Sequence, residues 1–324
     1  MKAWRSIATL GMLCAAAVGA EEMRAMKYQT GSEDAARAWQ NTVRVQLREL
    51  MRIDDLEASR SSVPLDAELT PEHREQDYRW QEVSLRSTPD RRIQVIVARP
   101  LETSNARMPA VVCIPGHGGT RLTPFDPEAG IYKRFGVELA RRGFVVISAD
   151  VGQHDVYEPG RTLMGERLWD LTRCVDYLRT LPEVDPARIG CAGLSLGGEM
   201  AMWLGAMDER IAATVSCGFL TMMDQMEQNH CMCWKFDGLR ALVDFPDIYS
   251  LIAPRPLQCQ NGLKEPDTQF TVPLARKALA EIEPIYRDLG ALDKVMLVAH
   301  EGAHEIDFRP MNAFLKQYLM PAGK

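Results

Sequence analysis

The sequence contains no uninterrupted apolar run of about 18 residues, which excludes an ordinary membrane-spanning helix. It also lacks a basic stripe with interleaved aromatics. Aromatic residues make up 7% of the chain and the net charge is -6, so electrostatic capture of a nucleic-acid backbone has no basis. Cysteines are scattered, without the Cys-x-x-Cys pairs of zinc modules. Internal repeats and low-complexity tracts are missing, which excludes a solenoid. What is present is apolar mass: 46% hydrophobic residues in 324, enough for one large α/β domain with extensions.

Lys2 and Arg5 precede an apolar run from Ile7 to Val18, and Val18-Gly19-Ala20 precedes Glu21-Glu22. This pattern reads as a secretory signal over residues 1–20, so an exported, periplasmic or secreted protein is expected. Gly11-Met12-Leu13 lacks the small residues that precede a lipidated cysteine, so Cys14 is not read as an anchor. Cys14 would leave with the signal, and the odd number of cysteines that remains does not imply a disulfide framework. Cys113, Cys191, Cys217 and Cys259 lie in or beside apolar runs and read as small buried hydrophobes.

Residues 21–75 read as an N-terminal helical extension. Trp39, Val43, Leu47, Leu50 and Met51 recur at helical spacing between arginines and glutamates over 33–55. From residue 76 to 324 an initial pair of strands, 78–86 and 93–98, is followed by apolar runs at 110–114, 144–148, 188–193, 213–217, 256–260 and 294–299. Helical patterns at 128–142, 165–181, 196–207 and 272–289 separate most of them, which predicts a mostly parallel central sheet with helices on both faces. The segment 218–249 interrupts this alternation with Met222, Met223, Met226, Trp234, Phe236 and Phe245. It reads equally as a wall or lid over a site and as peripheral packing.

The chemistry is concentrated in Gly193-Leu194-Ser195-Leu196-Gly197, where a strand runs through a glycine-bracketed serine into a helix. Such a turn lifts the hydroxyl above the sheet and beside unpaired helix N–H groups, which suit an attacking oxygen and the oxyanion it generates. A serine hydroxyl needs a base in reach and a carboxylate to orient that base. In the chain order serine, acid, histidine, the later loops supply Glu265, Asp267 and His304. His304 is the candidate base because it lies just past the last strand, whereas His300 reads as a structural neighbour. Glu265 is preferred to Asp267 as the acid because it follows Gly262 at the shorter distance, and both remain open. Backbone N–H groups of Leu196, directly after the serine, and of His117, in the loop Pro115-Gly116-His117-Gly118-Gly119, are the candidate oxyanion donors.

With these parts in order, the chain from about Tyr78 onward resembles the α/β-hydrolase superfamily. Within it, Pro115 to Gly119, Gly193 to Gly198, Ile252-Ala253-Pro254-Arg255-Pro256 and Gly302 to Glu305 are similar to acetylxylan esterases and dienelactone hydrolases. The resemblance implies an α/β-hydrolase fold and hydrolysis of small carboxylic esters, such as acetyl groups on plant polysaccharide, with no cofactor and no metal. A small-molecule or carbohydrate ester is then the implied partner. Two departures matter. Dienelactone hydrolases proper use cysteine where this chain has Ser195, and the acid loop offers two carboxylates where relatives commonly show one aspartate.

Other readings remain beside this one: a dienelactone-type lactone hydrolase, a serine peptidase, or a binding protein on a decayed hydrolase scaffold. His300-Glu301-Gly302-Ala303-His304 also spells the His-Glu-x-x-His of zinc peptidases, which requires a helix that Gly302 and the preceding strand disfavour. His230-Cys231-Met232-Cys233 carries soft ligand atoms and is read as packing in the insertion. Arg121 and Asp150 read as a surface ion and a turn cap or as pocket residues, and Glu199 as a carboxylate suited to its helix dipole.

Overall fold

The computed structural model describes residues 24–101, 106–228 and 230–320. The expected signal segment, residues 1–20, lies outside them.

Eight strands build the sheet: β1 (Tyr78–Arg86), β2 (Arg92–Pro100), β3 (Met108–Ile114), β4 (Val145–Ala149), β5 (Val184–Leu194), β6 (Ile211–Cys217), β7 (Leu257–Gly262) and β8 (Val295–His300). Two short pieces, Glu68–Leu69 and His73–Arg74, pair with β1 to complete ten strands. The spatial order is β1-β2-β4-β3-β5-β6-β7-β8. β1 and β2 run antiparallel to their neighbours, and every pair from β4 to β8 is parallel.

Parallel strands need crossover helices, which cover both faces and explain the continuous apolar runs. Along β3, Ala110, Val112 and Ile114 enter one core, while Val111 and Cys113 enter the other. Helices α1 (Glu33–Met51), α3 (Leu163–Thr180), α4 (Leu196–Met207) and α5 (Val272–Asp288) bury their apolar faces in the first core. Helices α2 (Phe135–Arg141) and α6 (Phe308–Leu319) fill the second.

The N-terminal extension is part of this packing. Ser32 caps α1 by accepting a hydrogen bond from the Ala35 N–H, and the helix ends at Arg52, whose backbone is left-handed (φ 58°). Its Ala36, Val43, Leu47 and Met51 are fully buried in the sheet's first core. Gln40 donates to the carbonyls of Ser250 and Ala253, and Arg44 to those of Ala206 and Leu251. Truncating a side chain such as Leu47 to alanine would therefore cost about 2–5 kcal/mol.

The helical pattern over 128–142 is only partly realised. Gly130–Tyr132 forms a 3-10 turn and the α-helix starts at Phe135, because Lys133 and Arg134 adopt left-handed φ values of 53° and 50°. This break has a consequence for the site, since it turns the Tyr132 hydroxyl toward Gly116.

Candidate active site

Loops at the carboxyl ends of five adjacent strands, β3, β5, β6, β7 and β8, meet at one edge of the sheet, where open α/β folds build their sites. Ser195 stands at the end of β5 with φ 62° and ψ -124° and starts α4. A non-glycine residue held there stores about 1–3 kcal/mol, so its surroundings must fix it. Its N–H donates to the Cys217 carbonyl at the end of β6 (2.9 Å). Close approach supplies the second constraint: a Cβ on Gly197 would lie 2.3 Å from the Ile114 carbonyl oxygen, so only glycine lets α4 begin against β3.

Two residues that border the same cavity as this serine have unpaired backbone donors among the described residues. Leu196 opens the helix, and its N–H finds no acceptor among the described residues. In the loop after β3, Gly116 donates to the Tyr132 hydroxyl (2.8 Å) and Gly119 to the Gly116 carbonyl (3.0 Å), while the His117 N–H is left unpaired among the described residues. Burial is the main cause that pushes the His117 imidazole below its ordinary pKa, helped by His154 and Arg167.

Past β8, His304 places its Nδ1 2.8 Å from Oε1 of Glu265. The Glu265 side chain is 1% exposed, whereas Asp267 faces solvent. Backbone contacts explain the difference, because Leu263 donates to the His300 carbonyl and Lys264 to that of Gly302. These bonds knit the acid loop to the histidine loop as far as Glu265, and the chain then turns away at Pro266. Gly218, directly after β6, adopts φ +59°, and a Cβ there would lie 2.8 Å from His304 Cε1. Phe270 stacks on the opposite requirement, ring orientation, with its centroid 5.4 Å from that of His304 and the planes 22° apart.

Ser195, His117, Leu196 and His304 border one cavity of about 340 Å³, roofed by residues of the insertion that include Met226, Cys231, Cys233 and Trp234. The insertion is therefore both wall and core, since Phe219, Met223, Trp234 and Phe245 are also fully buried against the sheet.

Among the remaining sequence candidates, Glu199 departs from its reading while Arg121, Asp150 and His300 keep theirs. Glu199 is not merely a helix-dipole carboxylate: it is 2% exposed on the cavity wall, and burial pushes it up to about 7, partly offset by Arg167. Arg121 and Asp150 are spent on each other (2.9 Å), with Glu82 as a second partner of the arginine, and neither borders this cavity. His300 ends β8 and its Nδ1 accepts from the Gly302 N–H (3.2 Å). The segment through His304 is strand and then loop, so the two imidazoles do not sit one helical turn apart as a zinc peptidase requires. His230 borders the cavity as well, with its Nε2 3.1 Å from the Thr268 carbonyl, and is not one of the residues that converge with Cys231 and Cys233.

Tyr132, Gly218, Phe270 and His154 escaped the sequence reading. A glycine directly after an apolar strand was a usable signal for Gly218. The others come from segments with no motif, and only the folded chain brings them to the edge.

Comparisons agree with this architecture. The Bacillus subtilis (strain 168) protein YtaP, named as a hydrolase, is 29% identical over 150 residues, covering 45% of this chain and 50% of its own length. A 4-O-methyl-glucuronoyl methylesterase of Phanerochaete carnosa (strain HHB-10118-sp) is 27% identical over 178 residues, 45% of this chain and 43% of its own. The chain thus spans half or less of the length of these curated relatives. The fold is shared with the structure of an acetyl xylan esterase from Paenibacillus sp. R4, at a TM-score of 0.60 and 16% identity, over 91% of this chain and 98% of that one. The sequence profile described as Abhydrolase family matches residues 4–280, and the chain belongs to that family.

Proposed function

We propose that the protein is a serine-dependent carboxylic ester hydrolase whose substrates are small acyl esters, acetyl above all, carried on plant polysaccharide or its fragments. The observation that carries this reading is the ordered pair His304–Glu265 at 2.8 Å, in a cavity shared with a serine held at φ 62° beside two unpaired backbone donors. Names of relatives that act on xylan acetyl or glucuronoyl methyl esters support the substrate class.

In this reading Ser195 Oγ attacks the ester carbonyl while His304 takes its proton as general base. Glu265 accepts from Nδ1–H, which fixes the tautomer and offsets the positive charge that the imidazole gains. The carbonyl oxygen becomes an oxyanion and is received by the His117 and Leu196 N–H groups. Collapse of the tetrahedral intermediate expels the alcohol, protonated by His304. A water activated by the same histidine then releases the acid and regenerates Ser195. No cofactor takes part. Residues 1–20 would direct the chain out of the cytoplasm to such a substrate.

A cavity of about 340 Å³ has room for an acetyl group together with part of the alcohol that carries it. The test is kcat/KM on p-nitrophenyl esters of two, four and eight carbons, beside acetylated xylan and a uronic acid methyl ester. Acetyl release from both aryl and xylan esters, falling with chain length, is the expected result. Preference for the eight-carbon ester would overturn the short-acyl reading, and absence of any ester turnover would overturn the esterase reading.

A further inference from the structure

The mouth of the cavity holds a second cluster that the serine chemistry does not use. His117, His154, Cys231 and Cys233 each aim one ligand atom into a common volume, with those four atoms all within 4.8 Å of one another. They come from three separate places: the loop after β3, the loop after β4, and the 3-10 turn Met232–Trp234 with the residue before it. Nε2 of His117 lies 2.6 Å from Nε2 of His154, and Sγ of Cys231 lies 3.4 Å from the same His154 nitrogen. Both cysteines are free thiols.

We infer that these four side chains form a tetrahedral zinc site that ties the insertion to the loop carrying the His117 N–H. Two sulfurs and two imidazole nitrogens are the donor set that selects zinc. Zn–N bonds of about 2.0 Å and Zn–S bonds of about 2.3 Å give tetrahedral edges of about 3.3 Å between nitrogens and about 3.8 Å between sulfurs. The 3.4 Å sulfur–nitrogen separation already matches such an edge, and the nitrogen pair, 2.6 Å apart, needs to open by about 0.7 Å, which side-chain rotation of two surface histidines supplies. A disulfide between Cys231 and Cys233 would leave the convergence of two histidines unexplained.

Independent support comes from Arg167. Its side chain is fully buried, two of its guanidinium nitrogens have no hydrogen-bond partner among the described residues, and it interacts electrostatically with both His117 and Cys233. Glu199 is one counter-charge for this buried cation, and a thiolate at Cys233 would be a second. On binding zinc the two thiols release their protons to solvent, which places the Cys233 thiolate beside Arg167 while the four-ligand centre is neutral overall. Four protein ligands fill the coordination shell, so the site is structural and Ser195 keeps the chemistry. Its effect is to hold the roof down and to fix the backbone of His117.

The test is metal analysis of reduced, full-length protein loaded with zinc and passed into metal-free buffer. About one zinc per chain is expected in the wild type, in Ser195→Ala and in His230→Ala, and less than about one-tenth in the Cys231→Ser/Cys233→Ser double variant. His154→Ala, an exposed position, gives the same loss if the double variant misfolds. Cobalt(II) substituted into the wild type should give the intense visible bands of a tetrahedral thiolate site. Wild-type protein that retains no zinc, a double variant that retains it, or an octahedral cobalt spectrum would each overturn the proposal. Retention by Ser195→Ala separates this result from the fate of the esterase reading.

Discussion

Replacing Glu265 by glutamine isolates one quantity, the charge that faces His304. Nδ1 and Oε1 are 2.8 Å apart, which puts the centres of an imidazolium and a carboxylate about 4 Å from each other. At an effective dielectric of about 20, suited to a pair near a protein surface, their attraction is about 4 kcal/mol. In the proposed mechanism only the transition state and the charged intermediates benefit, because a general base gains its positive charge as it takes the Ser195 proton. With about 1.4 kcal/mol per decade, kcat should fall on the order of a thousandfold while KM stays within about threefold. Water cannot substitute for the lost charge, since the Glu265 side chain is 1% exposed. Asp267→Asn is the matched control: this carboxylate is exposed, and screening should limit its effect to less than about twofold. Steady-state kinetics on p-nitrophenyl acetate, with circular dichroism to confirm folding, measure both. A loss below tenfold in Glu265→Gln, or a larger loss in Asp267→Asn, would refute the assignment.

Three further outcomes follow from the same geometry. Gly218→Ala forces a Cβ against His304 at a left-handed φ of +59°, so thermal stability should drop by about 1–2 kcal/mol and kcat by at least tenfold, read by denaturant titration and kinetics. Tyr132→Phe leaves the buried Gly116 N–H without its acceptor, which should cost about 1–3 kcal/mol in urea unfolding and lower kcat through a looser His117 loop. Glu199 has a folded-state pKa of about 7, above the ordinary 4.5, so the folded chain binds more protons than the unfolded chain between these values. Its contribution to stability therefore falls as pH rises from about 4.5 to about 7, by about 3 kcal/mol in all. Glu199→Gln should remove that fall and gain most at pH 8, and an equal change at pH 5 and pH 8 would contradict the linkage.

The fold was legible because the central strands of the parallel region are buried on two faces and so are written as mainly apolar runs, as in Ala110 to Ile114, whereas the edge strand β8 is only half-buried. Periodicity did not register the backbone break at Lys133 and Arg134, since neither residue announces a left-handed conformation, and the helix over 128–142 came out shorter. At the candidate site, the glycine-flanked serine and the chain order of the loops were readable as local pattern. The choice between Glu265 and Asp267 was not, because it depends on the Leu263 and Lys264 hydrogen bonds to another loop. The cluster at His117 and His154 shows the same limit more strongly. The segment His230-Cys231-Met232-Cys233 read as packing, whereas the folded chain engages His230 with the Thr268 carbonyl and brings two distant histidines beside the cysteines.

The central claim is that Ser195 is the nucleophile, and active-site labelling tests it most directly. Intact protein treated with a fluorophosphonate should gain one adduct, mapped by peptide mass spectrometry to Ser195, and lose hydrolysis of p-nitrophenyl acetate in step with labelling. Ser195→Ala should take up no label and retain less than about one-thousandth of the wild-type kcat. An adduct on another residue, or undiminished turnover by Ser195→Ala, would contradict the account.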